Sequence, residues 1–159
     1  MINIKTTLAV AASAAVLALS ACGGSAAGAG KGPNSEERTT AFKAMMPNFS
    51  SMGKMVKGEE PYEVEKFKTA AAAFAEESKK PFAHFERDAL VDGKPQDGDA
   101  LPAVWEKPEE FKAAEETFHA AVAELNTQAQ SGNLEAIKVA YGDAGASCKA
   151  CHDSFRRPK

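Results

Sequence analysis

The segment LEAIKVAYGDAGASCKACHDSF, residues 134–155, carries two patterns at once. Leu134, Ile137, Ala140, Tyr141, Ala144, Cys148, Cys151, His152 and Phe155 recur at three- and four-residue steps, the stripe of an amphipathic helix. Inside that stripe, Cys148-Lys149-Ala150-Cys151-His152 is a Cys-x-x-Cys-His segment, the attachment signature of a c-type haem. Two thiols add across the haem vinyl groups, and the adjacent histidine is placed to coordinate iron from one face. The motif continues the apolar face without a phase break. The spacing therefore predicts one covalent haem c on the last helix, pointing into the core.

A bare Cys-x-x-Cys also serves as half of a zinc site or as a redox pair. Structural zinc takes four ligands, and the only other histidines are His84 and His119, with no second cysteine pair. A thioredoxin-like pair belongs at a helix start in a βαβ context, whereas this one ends a helix in a chain with no β-rich segment. His84 lies among Phe82, Phe85 and Glu86, and His119 beside Phe118 but off the main stripe. Both read as surface or boundary residues rather than second iron ligands.

Three more helical patterns precede the motif. The first runs from about Ser35 to Lys57, with Phe42, Met45, Met46, Phe49, Met52 and Val56 at helical steps. Pro47 is expected to kink it or open a gap in its hydrogen bonding. Gly58-Glu59-Glu60-Pro61 ends it. The second covers about Tyr62 to Ser78 on Val64, Phe67, Ala71, Phe74 and Ala75, with a resumption toward Arg87 through Phe82 and Phe85. A polar connection over residues 88–106, closing on Leu101-Pro102-Ala103-Val104-Trp105, leads to the third. That helix starts near Pro108, which a first turn tolerates, with Glu109 and Glu110 complementing the helix dipole. Its stripe is Phe111, Ala114, Phe118, Ala121, Val122 and Leu125. Ser131-Gly132-Asn133 breaks the chain, and Asn133 is placed to cap the fourth helix. The expected fold is all-α, an antiparallel up-down-up-down four-helix bundle over residues 35–159.

The N-terminus reads as an export signal. Lys5 gives a short positive region, and Leu8 to Leu19 is apolar, of signal length and too short to span a bilayer. Leu19-Ser20-Ala21-Cys22 resembles the bacterial lipobox, which implies cleavage after residue 21 and a lipidated Cys22. An ordinary cleaved signal is the other reading, and both export the protein. Two or more acyl chains anchor stably where one does not. Residues 22–34, rich in Gly and Ala, read as a flexible tether. Of 159 residues, removal of 21 leaves 138, enough for one domain with a real core. With Lys5 gone from the 19 basic residues, 18 face 22 acidic ones, a net charge of −4. That balance argues against nucleic acid. With Cys22 taken by lipid and the other two cysteines by haem, no disulfide is expected although the compartment would allow one.

These features resemble the cytochrome c′ family, class II c-type cytochromes with a C-terminal haem on a four-helix bundle, here in a lipoprotein form. The similarity covers residues 35–157. It rests on Cys148-Lys-Ala-Cys151-His152-Asp-Ser-Phe-Arg156, with a basic residue four after the histidine. It rests also on Arg38, Phe42, Phe49, Met52-Gly53 and Lys57-Gly58-Glu59 in the first helix, and on Trp105 preceded by Leu-Pro-Ala-Val. The resemblance implies two functional types. In one, iron is five-coordinate behind an apolar distal residue. In the other, the low-spin c-556 type, a first-helix methionine supplies a sixth ligand. Alignment on Asn48-Phe49 and Lys57-Gly58-Glu59 puts that position at Phe42, which has no lone pair for iron. Met45 and Met46 lie one turn further along and are read as core packing, since thioethers fill irregular space.

The resemblance thus implies a vacant, apolar distal pocket that binds NO and CO, with Phe42 yielding to the incoming gas. A dry pocket without a donor gives no help to O2 or to anions. Arg156, four residues after His152, is placed near the proximal side, and Arg38, one turn before Phe42, is a candidate propionate partner. The function that follows is a periplasm-facing, membrane-tethered NO trap for nitrosative stress, not an enzyme. The alternative is a six-coordinate one-electron carrier whose redox partner the sequence does not name. The resemblance also admits a homodimer through the first two helices. Gly23 after Cys22 lacks the acidic inner-membrane retention signal known in some bacteria, which points to the outer membrane.

Overall fold

The computed structural model describes residues 30–158. The signal segment, Cys22 and most of the expected tether lie outside them. Four long helices dominate: α1 (Pro33–Lys57), α2 (Val64–Glu77), α4 (Pro108–Ser131) and α5 (Leu134–Phe155). A one-turn helix, α3 (Ala103–Glu106), and a 3-10 turn over Lys80–His84 occupy the stretch between α2 and α4. No strand forms among the described residues; only isolated bridges do. α1 packs on α2, α2 on α4, α4 on α5, and α5 back on α1. That closed ring is the expected up-down-up-down bundle.

The core follows the stripes read from the sequence. Met52, Phe67, Leu125, Ala129, Ile137 and Ala144 have no exposed surface, and Phe74, Phe118 and Val122 nearly none. A second, smaller cluster of Ala100, Val104, Phe111 and Phe155 closes the end of the bundle where α5 finishes. Gly53 matters to the α1–α5 approach. A side chain there would overlap the Tyr141 hydroxyl, which donates to the Phe49 carbonyl at 3.3 Å while its ring stacks on Phe49 at 4.4 Å. Asn133 caps α5 as expected, its Oδ1 accepting from the Glu135 and Ala136 amides at 3.2 Å each.

One expectation is resolved and three are corrected in detail. At Pro47 the second of the two expected outcomes holds: α1 continues through it, with a local gap in its hydrogen bonding. Proline forfeits one amide, but its ring and Lys43, the residue four before it, are both exposed, so the orphaned carbonyl faces solvent. The buried Met45 and Met52 hold the helix on either side. Met46 is not core packing: it is 44% exposed, while Met45 is 3%. Consecutive helical residues point about 100° apart, so one of the two must leave the core. The second helix does not resume to Arg87; after Ser78 a single 3-10 turn ends at His84, since the buried Pro81 cannot continue an α-helical ladder. Finally, α1 begins at Pro33, and Gly30 to Gly32, the end of the expected tether, are hydrogen-bonded to the connection at Pro95, Gln96 and Gly98.

Candidate haem site

α5 places Cys148 and Cys151 one turn apart on its inner side, both half-buried and not joined to each other. Cys148 packs against the main core and Cys151 against the smaller end cluster. The two thiols thus straddle the junction of the two apolar regions. Phe82, from the 3-10 turn, touches both clusters. Burial pushes the Cys148 thiol up to about 11, with Cys151 adding to the effect. Burial, and then the Glu115 carboxylate, push Cys151 up as well. Each therefore stays a neutral thiol at physiological pH in the haem-free chain.

His152 sits in the last turn of α5, exposed, its carbonyl accepting from the Arg156 amide at 3.1 Å. With Asp153, Arg156, Arg157 and Pro158 it lines an open cavity of about 300 Å³. Arg156 is half-buried there, its guanidinium 3.6 Å from Asp99. A histidine next to two thiols on one helix face, against aromatic walls and beside arginines, fits a covalent porphyrin: thiols for vinyl addition, an imidazole for iron, and cations for propionates.

Phe42 is half-buried on the inner side of α1. Its ring meets Phe82 edge-on at 6.0 Å and Phe85 at 6.3 Å. Phe82 in turn contacts Phe85, Phe111 and Phe118, so one connected aromatic group links α1, the 3-10 turn and α4. Met45 belongs to the main core and Met46 to the exposed side.

Arg38 has partners within the chain. Buried, it donates to the His84 carbonyl at 2.6 Å and the Asp97 carbonyl at 2.8 Å, with its guanidinium 4.6 Å over the Phe85 ring. Burial lowers its pKa, against the pull of Asp88, Asp97 and Asp99, yet an arginine remains charged. Its role in this structure is to lock the connection onto α1. The two other histidines are boundary residues, as read. His84 Nδ1 lies 3.0 Å from Glu37. The His119 ring packs edge-on to Phe82 at 4.9 Å, with Nε2 buried and without a hydrogen-bond partner.

Sequence reading missed Asp88, Asp97, Ser35, Phe82 and Phe85 as organisers of this end. The two aspartates lie in a polar stretch that reads as solvated, yet both are buried. Asp88 takes an amide 53 residues away and the Asp97 carbonyl takes Arg38 across 59, ranges that leave no local signal, while the Asp97 carboxylate pairs with Arg87 ten residues before it. The phenylalanines did carry a signal, their spacing beyond Pro81, but it read as more helix.

A four-helix bundle with Cys-x-x-Cys-His closing its last helix defines a class of haem protein. The chain belongs to the cytochrome c′ family, whose family model matches residues 34–156. It is 34% identical over 122 residues to cytochrome c′ of Alcaligenes xylosoxydans xylosoxydans, covering 77% of this chain and 91% of that one. Among solved structures it resembles a nitric oxide complex of a leucine-to-alanine variant of cytochrome c prime from Alcaligenes xylosoxidans. There the TM-score is 0.72 at 32% identity, with 79% of this chain and 94% of that one covered. A carbon monoxide-bound leucine-to-glycine variant of the same protein aligns with a TM-score of 0.71 at 32% identity and the same coverage. Members of the family carry one covalently bound haem c, and Cys148, Cys151 and His152 are the residues that fit it here.

Proposed function

We propose that this protein is an exported, lipid-anchored haem protein that traps NO, and binds CO, at a five-coordinate iron. It acts as a binding protein rather than an enzyme, with nitrosative stress as its setting. The bound haem supplies an iron with one open position for a neutral diatomic gas. The chain supplies the rest. Cys148 and Cys151 hold the group covalently, His152 gives the one protein ligand, and the aromatic walls exclude water and anions.

One observation carries this reading: at the first-helix position where the low-spin relatives offer methionine, Phe42 stands packed against Phe82 and Phe85. The thioether of Met45 is committed to the main core and Met46 to the exposed side. Phe42 makes edge contacts with two rings, each aromatic pair worth about 1 kcal/mol. Moving it aside therefore has a modest cost that selects against weak ligands. The complexes formed by leucine variants of the Alcaligenes relative with nitric oxide and carbon monoxide support the same reading. Arg156, beside His152 and Asp99, is placed to act on the proximal side, on a propionate or a proximal gas.

Optical spectra of the haem-loaded protein, ferric and ferrous, before and after NO and CO, test it. High-spin bands that shift with both gases are expected. A low-spin spectrum indifferent to CO would replace the gas trap with a six-coordinate electron carrier.

A further inference from the structure

The chain enters the bundle at a fixed place. The Gly30 amide donates to Pro95 O at 3.1 Å, the Gly32 amide to Gln96 O at 2.9 Å, and the Gly98 amide to Gly30 O at 2.9 Å. This short antiparallel pairing centres on the bridge between Lys31 and Asp97. Just after it, Asp88 takes the Asn34 and Ser35 amides at 2.8 Å each, while the Ser35 hydroxyl donates back to Gly32 O at 2.9 Å. Gly32 and Ser35 are buried, and a side chain at residue 32 would overlap the Asp88 carboxylate.

The same connection then binds the other end of the chain. Ala100 bridges to Arg156, the Leu101 amide donates to Phe155 O at 2.9 Å, and the Arg157 amide to Asp99 O at 2.8 Å. Residues 30–32, 95–101 and 155–157 are therefore stitched together at one end of the bundle. It is the end that carries Cys151 and His152. The loops after α1 and α4 lie at the other end, a helix length away. For the 25 residues of α1 that is about 38 Å at ~1.5 Å per residue.

From this we infer that the clasp presents the haem end of the bundle to the membrane that holds Cys22. The facing partner is the lipid surface, and the membrane setting rests on the lipoprotein reading above. Eight residue steps, from 22 to 30, separate the lipidated position from the clasp. Covalent geometry limits eight residues to about 28 Å. The leash is shorter than the bundle, and it leaves from the haem end. That end stays within reach of the bilayer, where an apolar gas concentrates, while the opposite loops stand a further helix length out.

Energy transfer tests this on the mature holo-protein, exported through a leader whose lipobox is removed. With two of the three cysteines in haem thioethers, Cys22 is the one free thiol. It is coupled to a maleimide lipid in phosphatidylcholine vesicles that carry a headgroup fluorophore. We expect the haem to quench that fluorophore at least twofold more than in a variant with about thirty Gly/Ser residues inserted after Ser25. A clasp variant, Asp88→Ala with Gly32→Leu, is expected to fall between the two. Quenching that ignores the insertion overturns the inference. The anchor is read separately, by detergent-phase partition of the natively exported protein against Cys22→Ser. Wild type left in the aqueous phase would overturn the membrane setting while the vesicle result still decides the clasp.

Discussion

The two ends of the bundle are built on different principles. At the end that carries the loops after α1 and α4, Met52, Phe67, Leu125 and Ile137 are sealed completely, and the chain turns on short connections. At the haem end the apolar residues are larger, aromatic and often half-buried, and buried charges sit among them. Arg38, Asp88 and Asp97 are all nearly inaccessible there. The first arrangement fills volume, and its stability comes from close packing. The second fixes three chain segments by directed hydrogen bonds and leaves the thiols at the junction of two clusters, an arrangement suited to receiving a rigid prosthetic group. One end stabilises the molecule and the other gives it something to hold.

That contrast can be tested from its largest effect downward. Replacing both Cys148 and Cys151 by alanine is expected to abolish covalent haem, read as loss of haem staining after denaturing electrophoresis. A variant that retained the stain would break the assignment of the site. In the sealed end, Leu125→Ala should cost about 3 kcal/mol, read from the midpoint of denaturant unfolding. At the haem end, Phe42→Ala should cost less than half of that while speeding CO association tenfold or more in flash photolysis. Equal stability losses with unchanged CO rates would erase the distinction between the ends.

Smaller effects sharpen the role of the directed bonds. Arg38→Ala strips the donors from two carbonyls, of His84 and Asp97, and should lower stability by about 2 kcal/mol. Arg38→Lys should restore only part of this, because an ammonium cannot reproduce the fork. Asp88→Ala removes the long-range cap of α1 and should cost about 1 kcal/mol, with faster amide exchange confined to the first turn of α1.

A pH-dependent effect separates the haem-free from the loaded chain. The folded Cys148 thiol titrates near 11 against an ordinary value near 9. The unfolded chain therefore releases its proton first as pH rises. The stability contributed by the neutral buried thiol is complete below about 9 and is lost progressively toward about 11. Thermal melts of the haem-free protein should fall across that window more steeply than melts of the loaded protein, in which the thioether has no proton to lose.

Much of the fold was legible in advance because helices announce themselves through local spacing. Phe67 to Phe74, Phe111 to Leu125, and Ile137, Ala140, Ala144 and Phe155 mark the buried faces of their helices, His152 alone leaving the last stripe for an exposed position, and Asn133 caps where its position indicated. The reading failed where a local rule met a tertiary competitor. Met46 left the core because Met45 already filled that face. The second helix did not resume because Pro81 turned Phe82 and Phe85 toward α1 and α4 instead.

The sequence by itself determined what depends on neighbours a few residues apart: four amphipathic helices, the cap of the last one, and a Cys-x-x-Cys-His motif whose phase turns the thiols inward. Spacing along a helix is covalent geometry, and no partner is needed to read it. Only the tertiary structure decided which charged residues are buried and whom they serve. Asp88 caps a helix 53 residues before it, and Arg38 reaches Asp97 across 59. Only it decided that residues 30–32 and 155–157 meet on one connection. Such contacts depend on chain closure over long loops, and pairings of that range leave no periodic trace in the sequence.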